Sequence, residues 1–149
     1  MLAVVQRVRQ AAVKVGEEEL ARVGRGLVAF VGVEQGDGED EAKYLAAKIG
    51  HLRVFPDSQD RMNLALGDLG YELLLVPNFT VAGDCRKGRR PSFDRAAEPD
   101  KAEWLLQRLG EMLESEKIKV SWGAFGSKME VSVENDGPVT LLIDSGRRL

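Results

Sequence analysis

The run Leu27-Val28-Ala29-Phe30-Val31-Gly32-Val33 decides the fold, because it is the longest stretch of apolar residues in the chain. Its β-branched and aromatic residues favour a strand, and the lack of polar positions predicts burial on both faces. We therefore predict that this strand lies in the middle of a sheet. The run is much shorter than the roughly 20 residues that a membrane-spanning helix needs.

Further strands are predicted on both sides of this run. β-branched residues nearly alternate from Leu2 to Val15, and Leu20 to Val23 is typical of a short return strand. Pro77 has no backbone donor and should end the strand before it. The segment Asn135-Asp136-Gly137-Pro138 is typical of a tight turn and should join the last two strands. The remaining predicted strands are Arg53 to Phe55, Tyr71 to Val76, Ile118 to Trp122, Met129 to Glu134 and Val139 to Asp144.

Two helices are predicted from apolar residues at helical spacing. The first has Asp37 as its N-terminal cap and ends near Leu52. The second has Pro99 in its first turn and an apolar stripe from Ala102 to Leu113. We therefore predict one α+β domain over residues 1–149, with mainly antiparallel sheets that form a barrel-like sandwich and two α-helices on one face.

The composition excludes several classes of protein. With one cysteine and one histidine among 149 residues, the chain has no internal disulfide and too few soft ligands for a structural zinc site, which favours a cytoplasmic protein without a bound metal. A net charge of −3 argues against coating of nucleic acid by bulk electrostatics. The local cluster Arg86, Lys87, Arg89 and Arg90 is either a solvated loop or a phosphate-binding loop.

No pair of a nucleophile and a base stands out. His51 lies at the end of the first predicted helix, where a histidine more often caps carbonyls or packs than catalyses. Cys85 lies beside basic residues but has no identifiable base. Two segments remain with polar groups at strand ends, Pro77-Asn78-Phe79-Thr80 and Asn135 to Thr140. By themselves these segments indicate a possible pocket and a turn, and they name no substrate.

The order and spacing of several segments, taken together, resemble the D-aminoacyl-tRNA deacylase family along nearly the whole chain. The matching segments are Gln6-Arg7-Val8, Gly26-Leu27, Gly32-Val33, Arg61-Met62-Asn63, Asn78-Phe79-Thr80, Arg90-Pro91-Ser92-Phe93, Met129-Glu130-Val131 and Asn135-Asp136-Gly137-Pro138-Val139-Thr140. The resemblance implies an enzyme, a tRNA-editing esterase that binds the aminoacylated 3′ end of tRNA and uses no cofactor.

In that family the segment that resembles Pro77 to Val81 is usually Ser-Gln-Phe-Thr-Leu and forms a wall of the site for the 3′-terminal adenosine and its amino acid. Here Pro77 replaces the serine and removes a hydroxyl and a backbone donor. Asn78 replaces the glutamine and keeps an amide. The resemblance implies that Phe79 and Thr80 supply backbone oxyanion donors, while the neighbouring ribose hydroxyl assists the attack of water. A nucleophilic Thr80 hydroxyl is the alternative.

The segment that resembles Gly137-Pro138 is, in the family, a cis dipeptide that reaches across a homodimer into the partner's site. The resemblance implies that its carbonyls hold the amino group of the substrate and leave no room for an L side chain. Glycyl-tRNA should then also be cleaved, because glycine has no side chain to reject.

The resemblance also implies supporting roles for other residues. Phe125 and Met129 match positions that line the adenosine pocket, where an aromatic or thioether surface can hold a base. Core packing is the alternative, and the two roles are compatible. Arg7 resembles a residue beside the pocket, and Arg86, Lys87, Arg89 and Arg90 become candidates for contacts with tRNA phosphates.

Two alternatives remain open. A related group of tRNA deacylases also has proline at the position of Pro77 and accepts L-alanyl-tRNA, so a paralogue with relaxed chirality is possible. A non-catalytic RNA-binding homologue would also tolerate the changes at Pro77 and Asn78.

Overall fold

A computed structural model describes residues 1–149. The chain forms β1 (Leu2–Val15), β2 (Glu18–Val23), β3 (Gly26–Gly32), α1 (Glu39–Gly50), β4 (Phe55–Pro56), β5 (Met62–Leu64), α2 (Leu66–Leu69), β6 (Glu72–Pro77), α3 (Pro99–Ser115), β7 (Lys119–Trp122) and β8 (Glu130–Asp144). A 3-10 turn (Phe79–Ala82) follows β6. None of the helices combines the length and the apolar character that a membrane crossing requires.

The main sheet has the strand order β2-β1-β3-β6-β7, and β8 pairs with the long strand β1. The apolar run therefore forms the middle strand, β3, as predicted. β1 runs antiparallel to β2, β3 and β8, whereas β3, β6 and β7 run parallel to one another. The predicted α+β class with a barrel-like sheet is confirmed, and the sheet is more mixed than the sequence indicated.

The middle strand separates two apolar clusters, because side chains alternate between the faces of a sheet. Leu27, Ala29 and Val31 pack with α1 and α3 in the larger cluster. Val28 lies in a smaller cluster on the opposite face, inside the curved part of the sheet. Burial on both faces explains why β3 has no polar position. The two long helices therefore cover one face, as predicted.

The predictions for the starts of the two long helices had different outcomes. α3 begins at Pro99, as predicted. The prediction that Asp37 caps α1 is wrong, because Gly38 occupies that position and its N–H donates to the Glu41 carboxylate at 2.8 Å. The Asp37 carboxylate instead accepts bonds of 2.6 Å each from the terminal ammonium of Met1 and the N–H of Glu34. These two bonds engage both oxygens of the Asp37 carboxylate, so it does not cap α1.

The predicted turn at Asn135-Asp136-Gly137-Pro138 is also wrong, because β8 continues through it for 15 residues. Val8 of β1 lies opposite Asn135, and Gln6 lies opposite Thr140. Residues Asp136–Val139, which we call the bulge, therefore lie against Arg7 alone. The Asn135 amide closes the bulge by donating to the carbonyls of Arg7 and Val139, both at 3.0 Å. Glycine and proline suit such a bulge as well as they suit a turn.

Candidate active site

A cavity of about 360 Å³ opens where the parallel strands β3 and β6 end. The carboxyl ends of neighbouring parallel strands commonly form binding sites, because the chain leaves the sheet there. The walls come from both strand ends, the start of α3 and the loop after β7. The lining residues are Val31, Val33, Pro77, Asn78, Phe79, Ala96, Ala97, Pro99, Ala102, Leu106, Phe125 and Gly126.

One wall of this cavity is an extended segment that runs beside the end of β3. The Ala97 N–H donates to the carbonyl of Val33 at 2.9 Å, and the Gln35 N–H donates to the carbonyl of Arg95 at 3.0 Å. An ion pair between Arg95 and the buried Glu34 holds the same segment. The small side chains of Ala96 and Ala97 therefore stay in place and leave the space open.

The predicted segment Asn78-Phe79-Thr80 forms the turn at the end of β6. The Asn78 N–H continues the sheet by donating to Val31 at 2.8 Å. The Asn78 side-chain oxygen accepts from the Thr80 N–H at 3.2 Å and from the Thr80 hydroxyl at 2.5 Å. The Phe79 N–H donates to no group of the chain. Of the two predicted backbone donors, Phe79 is therefore free, whereas Thr80 is engaged by Asn78.

The Phe79 ring is an exposed part of this wall. Its ring meets the ring of Phe93 edge to face, with centroids 5.2 Å apart. Phe93 in turn packs on Gly83, where an added Cβ would lie 2.9 Å from the ring. These contacts fix the Phe79 ring even though 58% of the residue is exposed.

The structure offers no base for a nucleophilic Thr80. The Thr80 hydroxyl donates to an amide oxygen, which does not take up a proton at neutral pH. His51 bonds to the carbonyl of Ala47 and to Glu116, at the far end of α3 from the cavity. At 1.5 Å per helical residue, Ala102 and Glu116 are about 21 Å apart. His51 therefore caps α1, as its position predicted.

The two residues matched to the adenosine pocket lie in different places. Phe125 lines the cavity. Met129 packs behind it, with its sulfur 2.9 Å from where a Cβ of Gly123 would lie and accepting from the Ala124 N–H at 3.2 Å. Met129 therefore supports the loop that carries Phe125.

The bulge lies near the opposite end of β3. Gly137 and Pro138 are exposed, the peptide bond between them is cis, and Gly137 has a φ of +128°. Arg7 donates to the carbonyls of Asp136 and Val54 at 3.2 and 2.6 Å. Arg7 is paired with Leu27, and Asn78 is bonded to Val31, so the bulge and the cavity are about 13 Å apart along β3. A single chain does not bring Arg7, Gly137 or Pro138 to the cavity.

The basic cluster occupies a hairpin, Asp84–Ser92, whose ends are joined by backbone bonds of 2.7 and 2.9 Å. Arg86 folds back onto Asp84, and its guanidinium and backbone N–H hold the pKa of that carboxyl well below its usual range. Lys87, Arg89 and Arg90 are exposed and form no ion pair within the chain. The positive charge left for a ligand therefore comes from these three residues.

Several cavity residues were missed in the sequence. Ala102 and Leu106 belong to the apolar stripe of α3, whose spacing predicts core positions only. Ala96 and Ala97 precede the helix and carried no signal of their own. These four residues share small or apolar side chains that lie beside Asn78-Phe79. The sequence does not show this, because the residues meet only when the fold brings β3 and α3 together.

Known proteins support one family assignment. The family model described as D-Tyr-tRNA(Tyr) deacylase matches residues 4–144. A D-aminoacyl-tRNA deacylase of Caldicellulosiruptor bescii is 52% identical over 97% of both chains, and one of Natranaerobius thermophilus is 48% identical over 99% of both. A solved structure named c-Myc DNA Unwinding Element Binding Protein superposes with a TM-score of 0.90, at 35% identity over 97% of this chain and 98% of that one.

Together, the fold, the cavity and these relatives define an enzyme class, the hydrolases that deacylate D-aminoacyl-tRNA. The chain belongs to the D-Tyr-tRNA(Tyr) deacylase family. The resemblance seen in the sequence is thereby confirmed, and aminoacyl-tRNA is the substrate class that the family implies.

Proposed function

We propose that the cavity binds the 3′-terminal adenosine of tRNA and that the ester to a D-amino acid is hydrolysed beside the Phe79 N–H. The free Phe79 N–H on the wall of an apolar cavity is the observation that carries this proposal. Apolar walls suit a nucleoside, and a preorganised backbone donor stabilises the oxyanion that forms when water attacks an ester.

Catalysis in this proposal needs no side-chain base. An aminoacyl ester on ribose is activated, and the neighbouring ribose hydroxyl can assist the attacking water once the ester is positioned. The bond from the Thr80 hydroxyl to the Asn78 amide oxygen supports a structural role for that hydroxyl. Asn78 and Thr80 then hold the turn that aims the Phe79 N–H, which is the unengaged backbone donor of the two.

We further propose that the enzyme is a homodimer in which Gly137 and Pro138 of one chain complete the cavity of the other. The separation of about 13 Å between bulge and cavity within one chain supports this arrangement, because the exposed dipeptide does not reach the cavity of its own chain. Backbone atoms at that position would exclude an L side chain and admit a D side chain or glycine. Arg7 holds the bulge in place by donating to the carbonyl of Asp136.

The basic hairpin is proposed to contact phosphates of the acceptor stem. Lys87, Arg89 and Arg90 are the candidates, because Arg86 is already paired with Asp84. The contact between Phe93 and Phe79 links the hairpin to the cavity wall. We propose that the enzyme acts in the cytoplasm, where aminoacyl-tRNA is used.

The decisive experiment is a deacylation assay with purified protein on matched tRNAs. We expect rapid hydrolysis of D-tyrosyl-tRNA, hydrolysis of glycyl-tRNA, and no acceleration for L-tyrosyl-tRNA. Hydrolysis of L-alanyl-tRNA as fast as D-alanyl-tRNA would instead identify the relaxed paralogue. If the protein binds tRNA but accelerates the hydrolysis of no aminoacyl ester, it is a non-catalytic RNA-binding homologue.

The cross-subunit site can be tested by mixing two inactive variants. Gly137→Ala damages the bulge, and Ala97→Phe fills the cavity. After unfolding and refolding of an equal mixture, half of the dimers contain one intact cavity facing one intact bulge, so about a quarter of wild-type activity should return. A monomeric mass in solution, or a mixture as inactive as its components, would argue against sites shared between chains.

A further inference from the structure

A second recess lies next to the candidate cavity, on the other side of Phe125. This groove has a volume of about 280 Å³ and is lined by Pro77, Glu103, Leu106, Gln107, Trp122, Gly123 and Phe125. Three of these residues, Pro77, Leu106 and Phe125, also line the cavity. A chain-like ligand that leaves the cavity over Phe125 therefore enters the groove directly.

The groove offers a fixed aromatic surface. A Cβ added to Gly110 of α3 would lie 2.1 Å from the six-membered ring of Trp122, so this edge of the indole is clamped against the helix. The rest of the ring is partly exposed in the groove. A rigid, partly exposed indole provides a stacking surface for a nucleobase with little loss of side-chain entropy.

Polar groups in the groove suit a base better than a phosphate. Glu103 and Gln107 lie one helical turn apart on the exposed side of α3, and Glu103 forms no ion pair. No lysine or arginine lines the groove, and a carboxylate there disfavours phosphate. A carboxylate accepts well from the exocyclic amine of cytosine. The Gln107 amide donates one N–H to Glu111 at 3.2 Å and keeps its second N–H for a ring acceptor.

We propose that this groove binds the base of the nucleotide that precedes the terminal adenosine, stacked on Trp122 and hydrogen bonded to Glu103 and Gln107. The inference rests on the proposed binding of the terminal adenosine in the cavity. Since every tRNA ends in the same C-C-A sequence, this base is always cytosine. The groove thus increases affinity for the 3′ end of any tRNA without selecting among tRNAs.

The test compares three small esters of D-tyrosine, on adenosine, on the dinucleotide CpA and on UpA. We expect kcat/KM to be about tenfold higher for the CpA ester than for the adenosine ester, because stacking of one base typically contributes about 1–3 kcal/mol. The UpA ester should fall below the CpA ester, because uracil has a carbonyl where cytosine has the amine.

A double variant, Glu103→Ala with Gln107→Ala, assigns the effect to the groove. It should lower kcat/KM for the CpA ester severalfold and leave the adenosine ester unchanged. Glu114→Ala, an exposed change on the same helix outside the groove, should alter neither rate. Equal rates for the adenosine and CpA esters, or a CpA preference that the double variant does not reduce, would overturn the proposed binding of the base in the groove while leaving deacylation intact.

A binding measurement separates this inference from the enzymatic proposal. In a Trp104→Phe variant, Trp122 is the only tryptophan, and CpA should quench its fluorescence whereas adenosine should not. Absence of quenching by CpA would overturn the proposal that the groove binds this base. If no ester, including D-tyrosyl-tRNA, were hydrolysed, the proposed function would fail even where CpA still quenched Trp122.

Discussion

The segment Pro77–Thr80 and the bulge Asp136–Val139 both interrupt a strand, but they differ in what lies around them. The first lines a cavity of its own chain, and Asn78 engages the donors around it except the Phe79 N–H. The second is held at its base by Asn135 and Arg7 and leaves Gly137 exposed. In the proposed mechanism the two regions have different roles: the first segment positions the ester, and the bulge restricts which amino acid is attached to it.

Gly137→Ala should have the largest effect, because it alters the bulge where the proposed chiral selection takes place. An added Cβ would lie 2.9 Å from Val139 Cγ2 and 3.0 Å from Arg7 Nη2, at a φ of +128° that side chains rarely adopt. The bulge must therefore shift, and a displacement of about 1 Å in a site can reduce turnover by about 100-fold. We expect a loss of that size in kcat/KM for D-tyrosyl-tRNA.

Gly24→Ala is the matched control for this variant, because nothing lies within 4 Å of a Cβ at Gly24 and its backbone is not left-handed. It should retain full activity. The thermal midpoint and the solution mass of both variants report whether folding and assembly survive. If Gly137→Ala folds normally and keeps near-normal activity, the bulge is not part of the active site, and the proposed difference in role between the two regions is wrong.

Asn78→Ala tests the other region and should have an intermediate effect. The change removes the acceptor for the Thr80 N–H and hydroxyl, and loss of such a cap typically costs about 0.5–2 kcal/mol. The turn that presents Phe79 should loosen, and kcat/KM should fall about tenfold. Asn78→Ser keeps a capping oxygen and should retain most of the activity. Equal losses in both variants would show that the amide itself contacts the substrate.

The sequence predicted these two regions with unequal success, for a physical reason. The apolar run of β3, the stop at Pro77 and the start of α3 at Pro99 follow from local preferences, and the structure has all three. The bond from Asn78 to Thr80 is also local, and the pair Asn-x-Thr could have indicated it. The bulge depends on Arg7, which is far away in sequence, so local rules predicted a turn instead.

Arg89→Ala should have a smaller effect, confined to binding. Removing one phosphate contact weakens the salt dependence of binding, so the slope of log kcat/KM against log salt concentration should decrease by about 0.7 to 0.9. At physiological salt the loss should be severalfold. Lys43→Ala removes the same charge from an exposed position on α1 and should leave the slope unchanged. An unchanged slope for Arg89→Ala would show that Arg89 contacts no phosphate and is only solvated.

Thr80→Ala should have the smallest effect and gives the sharpest test of how the first region works. The variant loses the hydroxyl bond to Asn78 but keeps the Thr80 N–H and the free Phe79 N–H. If positioning and backbone donors carry catalysis, the single-turnover rate on D-tyrosyl-tRNA should fall by less than about threefold, because one neutral hydrogen bond contributes about 0.5–1.5 kcal/mol, shared between stability and turnover. Complete loss with a normal thermal midpoint would instead require the hydroxyl to attack the ester. In that case an acyl-enzyme on Thr80 should be detectable by mass, and the amide oxygen of Asn78 would have to release its bond before each turnover.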